Sequence, residues 1–220
     1  MSSRPEDMRD FFETRIDGYE EHMAESMDFK AFYAGTADPI AKTDKAVTIL
    51  DLGAGTGLEL EYIFMKAPQA RITAVDLSPR MLSRLREKYR RYDQQIQTVE
   101  ASYLTMELEP GSYDYAVSIM SLHHLLIEEK TALYAKIREA LKPAGSYIEG
   151  DYIVSEDEES RLLEEYWTLK EEFALPENGL YHIDIPSSEK TQIMALKEAG
   201  FKDIRVIFRA DRSDIVAARG

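Results

Sequence analysis

Three glycines and two carboxylates are the residues whose types and spacing first indicate a ligand site. Gly53, Gly55 and Gly57 occupy alternate positions behind an apolar run that ends in Asp51. A strand that passes through glycines into a helix makes a tight turn, where backbone N–H groups and the helix N-terminus can face a ligand. One glycine would be enough for a simple turn, so three predict close approach of a ligand. Asp76 ends the next apolar run, where a carboxylate can accept hydrogen bonds from the ribose hydroxyls of a nucleoside.

The glycine spacing argues against a pyrophosphate site. Dinucleotide-binding turns follow the pattern GxGxxG. When Gly53 and Gly55 are aligned with the first two glycines of this pattern, Leu58 stands at the position of the third. The third glycine of this chain, Gly57, lies one residue before that position. We therefore expect a nucleoside whose other arm is small and carries no phosphate. Asp51 could orient an ammonium group of such a ligand or hold the loop.

Histidine, tyrosine and carboxylate side chains supply candidates for proton transfer. His123 and His124 follow a predicted strand, and because they are adjacent they cannot share one face of it. We expect one of them to face the site and the other to pack. The remaining candidates are Asp151 and Tyr152 at the next predicted strand, and Tyr181 and His182 in the loop "GLYHIDIP". The four histidines of the chain do not have helix-ligand spacing, so we predict no metal site.

Alternating strand-like and helical segments position these residues. From Val47 onward, short β-branched runs alternate with apolar residues at helical spacing, and Ser78 followed by Pro79 is typical of a helix start. This order predicts an α/β, Rossmann-like, doubly wound, mostly parallel seven-stranded sheet with one antiparallel strand. We expect a helical N-terminal cap over residues 1–45 and a main domain over residues 46–220. A helical insertion is predicted at about residues 156–180.

Composition excludes several classes of function. The net charge is −14, which repels nucleic acid and anionic membranes, so neither is an expected partner. No apolar run approaches the roughly 20 residues that span a bilayer, and the N-terminus has no apolar core for a signal peptide. Cysteine is absent, which excludes thiolate chemistry and suits a reducing compartment. We expect a cytoplasmic protein that is a monomer or a homodimer.

Four motifs occur in an order that resembles the class I S-adenosylmethionine-dependent methyltransferase family. They are "LDLGAGTG", "AVDLS", "YDYAVSIMSLHHL" and "LKPAG", and together they cover roughly residues 45 to 150. The resemblance implies S-adenosyl-L-methionine as methyl donor and S-adenosyl-L-homocysteine as product. It implies that the glycine turn lies against the methionine part of the cofactor, that Asp76 holds the ribose, and that Leu77 and Met81 flank the adenine.

The sequence departs from the family pattern at one place. Many members carry an acid near the adenine amino group after the third strand, where this chain has Ser102 and Tyr103. The N-terminal segment resembles the cap helix of members that act on small molecules, which implies closure of the cofactor site by Tyr19 or Arg15. The resemblance thus assigns the following residues to the cofactor: Tyr19, Asp51, Gly53, Ala54, Gly55, Gly57, Asp76, Leu77, Met81, Ser102, Tyr103 and Ser118.

The implied activity is transfer of a methyl group to a small-molecule acceptor. Such a displacement requires the protein mainly to align and desolvate the acceptor, with a base only where the acceptor must lose a proton. His123, Tyr181 and His182 are the predicted catalytic residues. The alternatives are a non-catalytic cofactor-binding regulator and an RNA or protein methyltransferase. Nicotinamide oxidoreduction is disfavoured by the glycine spacing.

Overall fold

The computed structural model of the protein describes residues 4–26, 29–177 and 179–220. Helices and strands alternate along most of the chain after residue 47, as the apolar pattern predicts. The helices are α1 (Met8–Thr14), α2 (Tyr19–Ser26), α3 (Phe29–Thr36), α4 (Leu60–Lys66), α5 (Pro79–Lys88), α6 (Ile127–Ala140), α7 (Glu156–Glu172) and α8 (Glu189–Glu198). The strands are β1 (Thr48–Leu52), β2 (Arg71–Asp76), β3 (Ile96–Glu100), β4 (Tyr113–Ile119), β5 (Leu141–Tyr152), β6 (Asp203–Arg209) and β7 (Ser213–Arg219).

The described residues form a seven-stranded sheet with the strand order β3-β2-β1-β4-β5-β7-β6. The first five strands pair in parallel, and β7 lies antiparallel between β5 and β6. The predicted α/β fold with one antiparallel strand is therefore confirmed. The strand order reverses between β1 and β4, and ligands of such sheets bind beyond the carboxyl ends of the strands at that point.

Both faces of the sheet are covered, which explains why the central strands are nearly continuous apolar runs. Ile49 of β1 packs into a cluster with residues of α3 and α4, whereas Leu50 and Leu52 pack into a second cluster with residues of α6 and α8. Helix α5 begins as predicted: the Ser78 hydroxyl accepts a hydrogen bond from the Met81 backbone N–H at 3.1 Å, and Pro79 is the first helical residue. The carboxyl ends of β1, β2 and β4 are thereby held in register.

The segment before β1 is helical, as we expect of the N-terminal cap, but it is broken into α1, α2 and α3. Residues 1–3, 27 and 28 of the predicted cap, and residue 178 of the predicted insertion, lie outside the described residues. The boundaries at residues 45 and 156–180 remain our predictions. The insertion contains α7, and no helix in the described part of the chain is long and apolar enough to cross a membrane.

Gly57 provides a test of the packing at the end of the glycine turn. It has a φ of +69°, and a Cβ built on it would lie 2.9 Å from the Leu60 Cδ1 atom and 3.2 Å from the Leu85 Cδ1 atom. Gly111 has a φ of +62° and nothing within 4 Å of such a Cβ among the described residues. We expect Gly111→Ala to cost about 1 kcal/mol from backbone strain alone, and Gly57→Ala to cost about 2 kcal/mol more because it also crowds buried leucines. Urea denaturation of both variants measures the difference, and equal costs would contradict the packing role.

Candidate active site

A cleft of about 530 Å³ opens at the carboxyl ends of β1, β2 and β4. Its floor includes Gly53, Gly55 and Asp76, and Leu77 and Met81 line it from the start of α5. Tyr103, after β3, and Ser121, after β4, close one side. The cleft therefore lies where the reversal of strand order predicts a ligand.

The three glycines of the turn have different surroundings. A Cβ on Gly53 would lie 2.0 Å from the Ser121 Oγ atom, so this glycine allows the loop after β4 to pack on the turn. Gly57 allows α4 and α5 to approach. At Gly55, which has a φ of +50°, the nearest described atom to such a Cβ is the Tyr19 hydroxyl at 3.8 Å. Gly55 is thus the glycine of the three whose missing side chain leaves room in the cleft.

Asp76 is held by the backbone around it. Its Oδ2 atom accepts a hydrogen bond from the Gly55 N–H and its Oδ1 atom accepts one from the Ser78 N–H, both at 2.8 Å. Burial raises the pKa of this carboxyl, although the backbone hydrogen bonds oppose the rise. A carboxylate oxygen can accept more than one hydrogen bond, so Asp76 can also accept bonds from hydroxyl groups of a ligand.

Two further acids, Asp51 and Glu59, are buried together beneath the glycine turn. The two carboxyl groups share a side-chain hydrogen bond with each other, and the Asp51 Oδ2 and Glu59 Oε1 atoms have no other hydrogen-bond partner among the described residues. Burial is the main cause of a raised pKa in both groups, and the charge of Glu59 raises the pKa of Asp51 further. Buried carboxylate oxygens without partners are costly, so this part of the site favours a cation or a donor group nearby. The sequence contained Glu59 within a helical segment, and nothing in its spacing indicated a role.

Helix α1 roofs the cleft. Glu13 accepts a hydrogen bond from the Ser78 hydroxyl at 2.5 Å and one from the Arg80 backbone N–H at 3.1 Å. The N-terminal segment also pairs with the loop after α7, since the Met8 N–H donates to the Leu180 carbonyl and the His182 N–H donates to the Glu6 carbonyl, both at 3.0 Å. Met8, Arg9 and Phe12 consequently line the cleft, although the sequence analysis assigned none of them to the cofactor.

A second cavity, of about 1050 Å³, adjoins the first. The two cavities share four lining residues, which are Phe12, Tyr19, Met120 and His124. The remaining wall of the second cavity includes Phe11, Arg15, His123, Tyr152, His182 and Asp184. Aromatic rings and imidazoles therefore surround a space that opens directly onto the cleft.

His123 is oriented by a buried carboxylate. Its Nδ1 atom lies 2.6 Å from the Asp151 Oδ1 atom, and Asp151 also accepts hydrogen bonds from the backbone N–H groups of Leu122 and Tyr152, both at 2.8 Å. Burial opposes ionisation of Asp151, but the neighbouring His123 outweighs it and lowers the pKa of this carboxyl. Asp151 thus fixes one nitrogen of His123, and the other, Nε2, lies 3.8 Å from Asp184.

His124 and Asp184 form the second half of this cluster. The His124 Nδ1 atom lies 3.1 Å from the Asp184 Oδ1 atom and 3.3 Å from the Ile183 carbonyl oxygen. Burial, with the neighbouring His123, lowers the pKa of His124 to about 4, so its imidazole is neutral at pH 7. Burial opposes ionisation of Asp184, but its contact with His124 and the adjacent histidines lowers its pKa to about 2.

His182 completes the wall of the second cavity. Its ring stacks on Phe11, with centroids 3.4 Å apart, and lies 4.7 Å from the His124 ring. Burial lowers the pKa of His182, so this imidazole is also neutral at pH 7. The adjacency of His123 and His124 predicted that only one would face the site, and this was wrong: both line the second cavity, because the loop after β4 leaves the strand geometry.

The predicted cofactor residues fall into two groups. Tyr19, Gly53, Gly55, Asp76, Leu77, Met81 and Tyr103 line the cleft. Among the described residues, the cleft lining does not include Asp51, Ala54, Gly57, Ser102 or Ser118. Ser118 is buried within β4, where it pairs with Glu149 of β5, and the Ser102 hydroxyl accepts a hydrogen bond from the Leu104 N–H. Of the predicted catalytic residues, His123 and His182 line the second cavity. Tyr181 pairs with Asp7 in an isolated antiparallel β-bridge. It is not among the described residues that line either cavity.

Comparisons with known proteins identify similar sequences and folds. Residues 49–145 match the family described as "Methyltransferase domain". The chain is 26% identical over 170 residues to carboxy-S-adenosyl-L-methionine synthase of Nautilia profundicola, covering 73% of this chain and 72% of that protein. It is 32% identical over 120 residues to malonyl-[acyl-carrier protein] O-methyltransferase of Chlorobium phaeovibrioides, covering 52% and 44%.

Solved structures show the same fold. Human N-acetylserotonin methyltransferase in complex with SAM aligns with a TM-score of 0.67 at 18% identity, over 96% of this chain and 56% of that one. The DhpI–SAM–HEP complex aligns with a TM-score of 0.70 at 15% identity, over 96% and 95%. Residues 49–145 thus form a methyltransferase domain, and the relatives and solved structures support the class I S-adenosylmethionine-dependent type. The comparisons indicate an enzyme whose cofactor is S-adenosylmethionine.

The Asp51–Glu59 pair generates a test by pH. Because burial raises the pKa of Asp51 above its unfolded value, the folded protein holds the proton more tightly than the unfolded chain, and stability falls as pH rises from about 4 toward the folded pKa. We expect Asp51→Asn to remove part of this fall and to raise the melting temperature of the cofactor-free protein at pH 7. Asp114→Asn is the matched control, because Asp114 should affect the pH dependence of stability in the opposite direction. The pKa of Asp114 is lowered beside Lys142, so the ionised Asp114 stabilises the folded protein above about pH 4 and this stabilisation is lost in acid. Melting curves between about pH 2 and pH 8 measure both effects. No gain at pH 7 for Asp51→Asn would contradict the buried-acid interpretation.

Proposed function

We propose that this enzyme transfers the methyl group of S-adenosylmethionine to a small molecule bound in the second cavity. The observation that carries the proposal is that the cleft and this cavity share Phe12, Tyr19, Met120 and His124. A donor in the cleft and an acceptor in the cavity would therefore lie next to one another. Alignment and desolvation are the main requirements of a displacement at a methyl group.

The residues of the cleft fit the cofactor. The space left at Gly55 and the adjacent buried carboxyl groups of Asp51 and Glu59 favour a ligand with positive charge close to the glycine turn. Asp76 would accept hydrogen bonds from the ribose hydroxyls, and Leu77 and Met81 would pack on the adenine. When bound, S-adenosylmethionine supplies a methyl group on a positively charged sulfur, which is a strong electrophile. The acids beneath the turn would hold the cofactor's ammonium end in place by charge.

The second cavity favours an acceptor that must lose a proton. Two imidazoles could receive that proton. One is His123, whose Nδ1 atom is held by Asp151 and whose Nε2 atom is on the side of Asp184. The other is His182, whose neutral ring is fixed against Phe11. An imidazole that is held in position within reach of the acceptor can act as a general base.

Size and charge support a small acceptor over a macromolecule. Helix α1 and the loop after α7 close over both cavities through the pairing of residues 6–8 with residues 180–182. A nucleic acid would also meet the repulsion of a chain with a net charge of −14.

A second candidate is carboxylation of the cofactor itself. It is favoured by the similarity to carboxy-S-adenosyl-L-methionine synthases, including 28% identity over 177 residues to that of Wolinella succinogenes, across 73% of this chain and 71% of that protein. Under this alternative the second cavity would hold a carboxyl donor, and the modified cofactor would be the product. The two functions therefore differ in the mass of the cofactor product.

Asp76→Asn tests the cofactor assignment. We expect this variant to bind S-adenosylhomocysteine more weakly by on the order of 1–3 kcal/mol, because one acceptor oxygen for the ribose hydroxyls and the negative charge are lost. Isothermal titration calorimetry measures the change. Asp203→Asn, at the exposed start of β6, is the control and should leave the affinity unchanged. Unchanged affinity in a folded Asp76→Asn protein would refute the ribose contact.

Product analysis tests the reaction. Purified enzyme is incubated with S-adenosylmethionine whose methyl group carries ¹³C, together with a panel of small acceptors bearing hydroxyl, thiol, amine and carboxyl groups. We expect S-adenosylhomocysteine and a ¹³C-methylated acceptor by mass spectrometry. In a parallel reaction with small carboxylic acids as carboxyl donors, a carboxylated cofactor with no S-adenosylhomocysteine would overturn the proposal in favour of the second candidate.

A further inference from the structure

We propose that His123, His124 and Asp184 bind one divalent transition-metal ion at the junction of the cofactor cleft and the second cavity. These three residues each offer one ligand atom, and the ligand atoms all lie within 4.8 Å of one another. The prediction from the sequence was that no metal site exists, since the histidines lack helix-ligand spacing. The structure brings together residues about 60 positions apart, which no local spacing could indicate.

The distances within the group approach those of a coordination site. The His124 Nδ1 atom is 3.1 Å from the Asp184 Oδ1 atom, and the His123 Nε2 atom is 3.8 Å from the same oxygen. In a tetrahedral site with bonds of about 2.0–2.2 Å, neighbouring ligand atoms lie about 3.3–3.6 Å apart. Small side-chain movements would satisfy this geometry. His124 would give up its contact with the Ile183 carbonyl and bind the ion through Nδ1.

The surroundings of His123 are those of a metal-binding histidine. Imidazoles that bind metals usually donate their other ring N–H to a carboxylate, which fixes the tautomer and orients the ring. His123 has this arrangement: Asp151 accepts at Nδ1 with a distance of 2.6 Å, which leaves Nε2 for the ion. Asp151 is itself held by the Leu122 and Tyr152 N–H groups, so the orientation of the ring does not depend on the ion.

The charge of the site also suits a divalent ion. Asp151 and Asp184 together carry two negative charges, which balance the two positive charges of the ion. Asp184 is about half exposed, with 52% of its side chain accessible, so an ion can reach the site from the second cavity. Two histidines and one carboxylate are a ligand set for Zn²⁺ or for another ion of similar chemistry, and the remaining coordination positions are open.

This inference deepens the proposed function and rests on it for the identity of the acceptor class. An ion at this point would bind an acceptor through a hydroxyl or thiol group and lower the pKa of that group. The O–H or S–H bond breaks and the proton leaves to solvent, the freed electron pair forms the bond to the methyl carbon, and the carbon–sulfur bond breaks with its pair left on the cofactor sulfur. His123 then acts as a ligand, and the acceptor is one that can bind a metal through oxygen or sulfur.

Metal binding can be tested without turnover. The full chain, freed of metal with a chelator and dialysed, is titrated with Zn²⁺ alone by calorimetry, and with Co²⁺ alone by visible absorption, which reports the coordination geometry. We expect one ion per chain. His124→Ala and Asp184→Ala should weaken Zn²⁺ binding by about tenfold or more, since each removes one ligand. Asp184 is partly exposed, so its variant keeps the proposal testable if the buried His124 variant does not fold.

His22→Ala is the matched control. His22 is exposed on α2 and also lines the second cavity, but it lies outside the three-residue group. Its variant should bind Zn²⁺ with unchanged affinity. Absence of Zn²⁺ binding in wild-type protein that still binds S-adenosylhomocysteine would overturn the inference, as would unchanged affinity in the folded ligand variants. Methyl transfer by metal-free protein would likewise overturn it while leaving the proposed function in place.

Discussion

The hydrogen bonds that buried Asp151 accepts hold the site together. This residue lies near the end of β5, and it accepts bonds from the Leu122 N–H, the Tyr152 N–H and the His123 ring. Leu122 and His123 belong to the loop after β4, so one carboxylate connects two adjacent strand ends and sets the direction of the first imidazole. Charge-assisted hydrogen bonds in a buried place are strong. The position of His123 and of the loop after β4 therefore depends on Asp151 remaining ionised and fully paired.

Helix α1 and the loop after α7 together form the lid over the two cavities. Glu13 accepts hydrogen bonds that connect α1 to the start of α5. Backbone hydrogen bonds between residues 6–8 and residues 180–182 connect the same segment to the loop after α7. The contacts that form these joints involve turns and helix ends. A lid of this kind can open locally at a lower free energy than the sheet beneath it can unfold. Entry of cofactor and acceptor is therefore compatible with a rigid core.

The acids of the site explain why the empty protein is suited to a positively charged cofactor. Asp51 and Glu59 are buried side by side, and Asp76 is nearby and partly buried. Without a ligand, their mutual repulsion and lost hydration oppose ionisation. A cation that binds among them relieves both costs, so part of the affinity for the cofactor comes from removing an unfavourable arrangement. The overall excess of acidic residues repels anions in addition, which favours cationic ligands over phosphates.

The amino-acid sequence by itself determined the alternation of strands and helices, the antiparallel final pair and the glycine turn with Asp76 one strand later. These features depend on local spacing, backbone freedom and capping, all of which can be read within a few residues. The tertiary structure alone decided three other matters. It separated the roles of Gly53, Gly55 and Gly57, because only packing neighbours distinguish one glycine from another. It brought α1 over the cleft, and it gathered His123, His124 and Asp184 at one point. Their convergence depends on loops whose course is set by long-range hydrogen bonds, and such bonds leave no periodic pattern in the sequence.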